Sequence, residues 1–198
     1  MCEVKMKVLS YAVVMFVFLN FSLKPSIGFC EVIPKNSIYQ IKSTWITQEN
    51  KKINLNSMAG KPVIIGMVYT GCEHACPLTI SRILEIEKKI KTKGIKDYQI
   101  VLASFDTKND RPEHLKKYMA KRDLDLAHWL MLTADQDETV RELAIVLGIN
   151  YKKIDDLDFS HSNVLTLLDN QGVSLVRVEG LSSETETLIN KLSSLNGK

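Results

Sequence analysis

The chain has 198 residues, 45% of them hydrophobic and 25% charged, values of a globular domain long enough to bury a core of its own. Of the formal net charge of +3, Lys5, Lys7 and Lys24 against Glu3 place +2 in the first 28 residues. The remainder is close to neutral, which excludes a basic surface for nucleic acid.

The first segment reads as a leader. Lys5 and Lys7 precede an uncharged, mostly apolar run of 16 residues from Val8 to Leu23, then "KPSIGFCEV". Small residues at Ser26 and Gly28 suit cleavage after Gly28, so residues 1–28 are predicted to be a secretory signal peptide. The run falls just under the roughly 17 to 25 residues that span a bilayer, so an uncleaved membrane anchor is the alternative. Either way the rest of the chain is predicted to be exported, with the basic end inside. The leader has no arginine, unlike a mitochondrial transit peptide. Cys30 invites a lipoprotein reading, but the bulky Phe29 before it argues against lipidation.

From about residue 35 the sequence reads as one domain. "STWITQENKKINL" (43–55) alternates apolar and polar residues around a polar centre, as a short antiparallel pair does. "VIIGMVYT" (63–70) is a nearly continuous apolar run, the pattern of a strand covered on both faces. Leu78, Ile80, Ile83, Leu84, Ile86 and Ile90 then recur at three- and four-residue intervals, predicting an amphipathic helix that Gly94 ends. "YQIVLASFD" (98–106) is a second buried strand. "DRPEHLKKYMAKRD" (110–123) is a helix with Asp110 as its expected cap and Pro112 in its first turn.

"HWLMLTAD" (128–135) is a third strand and "QDETVRELAIVLGI" (136–149) a third helix. "NVLTLLD" and "VSLVRVEG" make a hairpin around "NQG". "SSETETLINKLSSL" closes the chain as a helix with Ser182 or Ser183 as its cap. Strand–helix units followed by a hairpin and a last helix give an α/β sandwich.

Four cysteines are present, but Cys2 lies in the leader and Cys30 at its edge, leaving Cys72 and Cys76 in "CEHACP". A lone pair four apart closes too small a loop to stabilise the chain much, and small exported domains that depend on disulfides carry more of them. The pair follows a buried strand and begins a helix, where unpaired N–H groups and the helix dipole favour a thiolate. Residues four apart on a helix have Cβ atoms about 5 to 6 Å apart. A disulfide needs about 3.5 to 4.5 Å. The spacing therefore tolerates oxidation and leans towards chelation.

Two thiolates are soft ligands that select Cu(I), or zinc with two further ligands. The four histidines are His74, His114, His128 and His161. His74, two residues after Cys72, would point away from the pair on a helix. His114 reads as a helix-surface residue, and His128 as packing or capping at a strand start. His161 stands in "DDLDFSHSNVLTLLD", where a polar loop enters an apolar strand at one end of the sheet, a place from which it can act as a ligand.

In order and spacing, "VYTGCEHACP", "ASFDTKNDRPEHLKKY" and "HSNVLTLLDNQG" resemble the SCO/SenC family over essentially all of the chain after about residue 40. Members are exported or membrane-tethered thioredoxin-like proteins that bind copper and help assemble the copper centre of cytochrome c oxidase. The resemblance implies a thioredoxin-like α/β fold, with a central mixed sheet flanked by helices and an N-terminal β-hairpin extension. It implies a domain over 35–198 and a copper site formed by Cys72, Cys76 and His161, holding Cu(I) and, with the imidazole, Cu(II). The implied partner is a cytochrome c oxidase subunit or another copper or thiol client at the periplasmic face, reached without turnover of a substrate. The family's aspartates fall on Asp106 and Asp110, neither of them assigned to the metal. The family commonly has proline and aspartate after the first cysteine, where this chain has Glu73 and His74, and its aromatic lead-in is reduced here to Tyr69.

The residues leave a second function open, a thiol–disulfide oxidoreductase with Cys72 attacking and Cys76 resolving the mixed disulfide. A peroxiredoxin-like peroxidase fits poorly. Thr70 lies two before Cys72 rather than three, and the nearest arginines in sequence are Arg82 and Arg111.

Overall fold

The structure, a computed structural model, describes residues 33–72, 75–155, 159–180 and 185–197, without the side chains of residues 75–77. The leader lies outside the described residues. Residues Ile33–Lys198 form one compact unit.

Its centre is the apolar run at 63–70. Strand β3 (Val63–Val68) is buried at every position and pairs in parallel with β4 (Gln99–Ser104), Val63 opposite Gln99 and Val68 opposite Ser104. β4 pairs in parallel with β5 (Trp129–Thr133). On the other side β3 takes β8 (Val164–Leu168) antiparallel, and β8 takes β9 (Ser174–Glu179) antiparallel. The hairpin of β1 (Thr44–Thr47) and β2 (Lys52–Asn54) joins β5 through Ile46 opposite Thr133, giving a seven-stranded sheet of order β2-β1-β5-β4-β3-β8-β9. The N-terminal hairpin thus extends the main sheet at its β5 edge. Buried Gln48 prolongs the ladder by exchanging bonds with Met131: N to O at 3.1 Å, and Met131 N to Oε1 at 3.0 Å.

Helix α1 (Ala75–Thr92) buries Ile80, Ile83, Ile86 and Ile90, each side chain contributing about 1.5 to 3 kcal/mol. Leu78 and Leu84, grouped with these by spacing, are 57% and 36% exposed. The apolar stripe is narrower than the sequence suggests because Glu87, not Leu84, completes the buried face. That carboxylate is 5% exposed and accepts from Tyr98 Oη (3.0 Å), Trp129 Nε1 (3.1 Å) and Lys91 Nζ (3.0 Å). It clamps the end of the helix to the sheet. Burial and the nearby Glu87 charge raise the Tyr98 pKa. Gly94, at φ +72°, ends the helix with Gly94 N bonded to Lys91 O (3.0 Å) and Ile95 N to Ile90 O (3.3 Å).

Helix α2 (Pro112–Lys121) packs on β5, and α3 (Asp137–Val146) follows it. α4 (Glu186–Asn196) packs on α1 and β9. Its N-cap is Thr185, without a side-chain cap bond; the predicted Ser182 and Ser183 lie outside the described residues. The cap of α2 is Arg111, not Asp110, whose side chain turns inward. The sequence also gave no sign of the two-stranded sheet formed by β6 (Tyr151–Lys153) and β7 (Phe159–His161), antiparallel with Tyr151 opposite His161. Three-residue strands flanking an acidic loop carry no alternation to read. Aromatic packing accompanies them: Phe105 stacks on Tyr151 at 4.9 Å and on Phe159 at 6.3 Å between centroids.

Candidate metal centre

Beyond β3 the chain passes through buried Tyr69, half-buried Thr70 and exposed Gly71 to Cys72, which is half-buried and packs against the core. A Cys72 N to Tyr69 O bond of 3.4 Å closes this turn. Among the described residues the α-helix runs over Ala75–Thr92, with Cys76 in it and Cys72 outside it. Cys72 and Cys76 are therefore not two residues of one helix, and the one-face reading of the pair does not apply. Glu73, His74 and the side chain of Cys76 lie outside the described residues. The helix start still places unpaired N–H groups beside the motif, a setting that favours thiolate.

His161 does not project from a loop, as its sequence context suggested. It ends β7 and is half-buried. Its ring lies 5.1 Å from that of Phe105 and 6.1 Å, edge-on at 83°, from that of Tyr69. Tyr69 also packs on Phe159 at 5.1 Å and accepts from Phe159 N at 3.4 Å. Tyr69 is thus a neighbour common to the cysteine turn and the late histidine. A second tie runs from Thr79 of α1, whose Oγ1 donates to Asn163 Oδ1 at 3.2 Å, while Asn163 O accepts from Gly180 N at 2.8 Å. His161 Nδ1 stands 3.3 Å from Ser162 O. The tautomer protonated at Nδ1 donates there, and Nε2 is then the ring nitrogen with the chemistry of a ligand.

The two family aspartates have distinct structural roles. Asp106 Oδ1 accepts from Lys108 N (3.2 Å) and Asn109 N (3.0 Å), and Oδ2 from Asn109 Nδ2 (2.7 Å), which shapes the loop after β4. Asp110 is 1% exposed. Its Oδ2 accepts from Thr70 N at 2.9 Å and from Ser104 Oγ, and its Oδ1 accepts from Thr70 Oγ1. Burial raises the Asp110 pKa, and the three hydrogen bonds oppose that rise. Spacing alone suggested a helix cap because Asp before Pro is a common helix start; nothing local in the sequence points to Thr70, 40 residues earlier.

The remaining described histidines stay away from this place in the way the sequence implied. His114 is exposed on α2, and His128 stacks on Tyr98 at 4.2 Å. Sequence reasoning missed the aromatic set Phe105, Tyr151 and Phe159 around His161. The aromatic residues ending "ASF" and opening "FSH" were the available signal. Phe105, Tyr151 and Phe159 also line an open cleft of about 590 Å³, together with Lys108 and Arg141.

Comparison with known proteins gives this arrangement a context. The family model described as SCO1/SenC matches residues 35–196. A SCO1 protein homolog of Bacillus subtilis is 31% identical over 102 residues, covering 52% of each chain, so the chain spans about half of that relative's length. Among solved structures, BsSco, described as a member of the Sco family of cytochrome c oxidase assembly proteins with a disulfide switch, is 27% identical. It covers 78% of this chain and 91% of its own, at a TM-score of 0.69. Arabidopsis thaliana ScoI, solved with copper bound, shares the fold at 20% identity and a TM-score of 0.67, over 77% of this chain and 94% of its own. The sheet order, the strand-end cysteine turn, the late histidine and the match over 35–196 together place this chain in the SCO1/SenC family, with its thioredoxin-like α/β fold.

Proposed function

We propose that the protein binds copper through Cys72, Cys76 and His161 and serves the maturation of the copper centre of cytochrome c oxidase. The observation that carries this reading is the position of His161. A residue remote in sequence reaches the strand end that bears the cysteine turn, its ring 6.1 Å from that of Tyr69. The donor set fits the metal: thiolates suit Cu(I), and a neutral imidazole helps retain Cu(II). Copper bound to a Sco neighbour of the same fold adds support. The protein's own residues supply a site and its orientation. Tyr69 and Phe105 confine the imidazole, Ser162 O can hold its Nδ1 proton, and the helix start lowers the cost of a thiolate.

The setting proposed is the periplasmic face of an inner membrane. Residues 1–28 would be a cleaved leader or an anchor, and 35–198 the functional domain. No helix among the described residues is long and apolar enough to cross a membrane. Titration of the reduced full chain with Cu(I) held by a competing chelator, without oxygen, tests the metal. The wild type should take copper from the chelator, and His161→Ala should bind roughly 10- to 100-fold more weakly. No binding by the wild type would end the proposal, and equal affinity in His161→Ala would remove the histidine from it.

A second reading is favoured by the disulfide switch of BsSco: the Cys72–Cys76 pair reduces a client's disulfide. In that case the full chain carrying Cys76→Ser should trap a client protein as a mixed disulfide through Cys72.

A further inference from the structure

The least accessible carboxylate among the described residues has no place in the ligand set. Asp110 stands at the end of the loop after β4, just ahead of α2, yet its side chain points back under the end of β3. It receives the backbone N–H of Thr70, the hydroxyl of Thr70 and the hydroxyl of Ser104, the last residue of β4. Its own N–H bonds to Asp106 O at 3.0 Å, so Asp110 is fixed at both main chain and side chain. Ser104 Oγ in turn accepts from Asp106 N at 3.0 Å. Thr70 is therefore held at two atoms by one carboxylate. Cys72, two residues on, has its own N–H turned back to Tyr69 O. Burying a carboxylate is costly unless it is fully hydrogen-bonded, and here two of its three donors come from Thr70, in the segment that must present the thiol, and the third from Ser104 of β4.

We propose that Asp110 is a positioning residue for the candidate metal centre: acting through Thr70, its carboxylate sets the placement of Cys72 at the sheet end, and hence the affinity and reactivity of that thiol. The copper part of this inference rests on the function proposed above; the placement of Cys72 does not. Asn at 110 keeps the shape but has one carbonyl oxygen in place of two acceptors. It cannot receive all three donors in the same way. Val at 70 leaves the carboxylate intact and removes only the Thr70 hydroxyl.

The test uses the reduced full chain and the chelator-buffered Cu(I) titration, with circular dichroism melting of every variant. Asp110→Asn and Thr70→Val should each bind copper roughly 10- to 100-fold more weakly at temperatures well below their melting transitions. Thr70→Ser should restore affinity relative to Thr70→Val, and the double variant should bind no more weakly than the weaker single one. If Asp110→Asn does not fold, the Thr70 pair decides alone. Wild-type affinity in Thr70→Val overturns the inference, even if Asp110→Asn binds poorly, because the carboxylate would then act by its charge or through the fold. If the wild type itself takes no copper, the proposed function fails. Asp110 is then judged by the iodoacetamide alkylation rate of Cys72, read on its peptide by mass spectrometry. A rate changed at least about threefold in Thr70→Val and restored in Thr70→Ser upholds the positioning role, and an unchanged rate overturns it.

Discussion

Asp110 and Glu87 show how differently two buried carboxylates can be used. Glu87 sits among Tyr98, Trp129 and Lys91 at the far end of α1 and holds helix to sheet. Replacing it with Ala would leave the Tyr98 hydroxyl and the Trp129 N–H unpaired inside the protein. Glu87→Ala should therefore cost roughly 2 to 4 kcal/mol in denaturant unfolding. Copper affinity should stay unchanged under folding conditions, since Glu87 lies at the other end of the helix. Asp110 also makes a prediction about pH. Its folded-state pKa is raised chiefly by burial, so the folded protein binds its proton more tightly than the unfolded chain does. Stability from this group is then fully present below the unfolded carboxylate value of about 3.9 and declines as pH rises through the raised folded value. Melting curves of wild type and Asp110→Asn should show the wild type losing ground to the variant as pH rises through that window. Parallel curves would mean that the carboxyl titrates alike in both states.

At the scale of elements, the buried parallel strands were legible because a strand covered on both faces leaves a continuous apolar run, as "VIIGMV" does in β3. Gly66 in that run has a packing reason. A Cβ there would stand 2.9 Å from Leu165 Cδ2 and 3.2 Å from Val164 O of β8. Gly66→Ala should accordingly destabilise by about 1 to 3 kcal/mol through forced separation of β3 and β8, measured by urea unfolding. Little effect would mean that β8 gives way easily. Illegible elements were those made by long-range contact. β6 and β7 are too short to show a period, and they meet at the aromatic packing of Phe105, Tyr151 and Phe159. The cysteine pair was read as sharing the start of one helix, whereas Cys72 stands outside α1 and Pro77 keeps its expected place in the first turn. Likewise Asp110 matched a local capping pattern that a buried bond to Thr70 overrides.

For the whole molecule, the residues gave the α/β class and two candidate soft ligands, and the resemblance named His161 as the third, while the topology that brings it to the cysteine end of the sheet was not legible. β3 and β8 are antiparallel neighbours, so the residues just after β3 and just before β8 fall at the same end of the sheet. Pairing of β3 with β8 therefore brings "TGC" and "SHS" towards one another across nearly ninety residues, with Tyr69 between them. Under the proposed function, this sheet end holds copper with two sulfurs and one imidazole nitrogen. X-ray absorption spectroscopy of the copper-loaded reduced full chain examines it most directly. The copper shell should be dominated by two sulfur scatterers with one nitrogen of imidazole type, the nitrogen lost in His161→Ala and a sulfur lost in Cys72→Ser. A shell of oxygen and nitrogen alone, or one unaltered by either substitution, would contradict it.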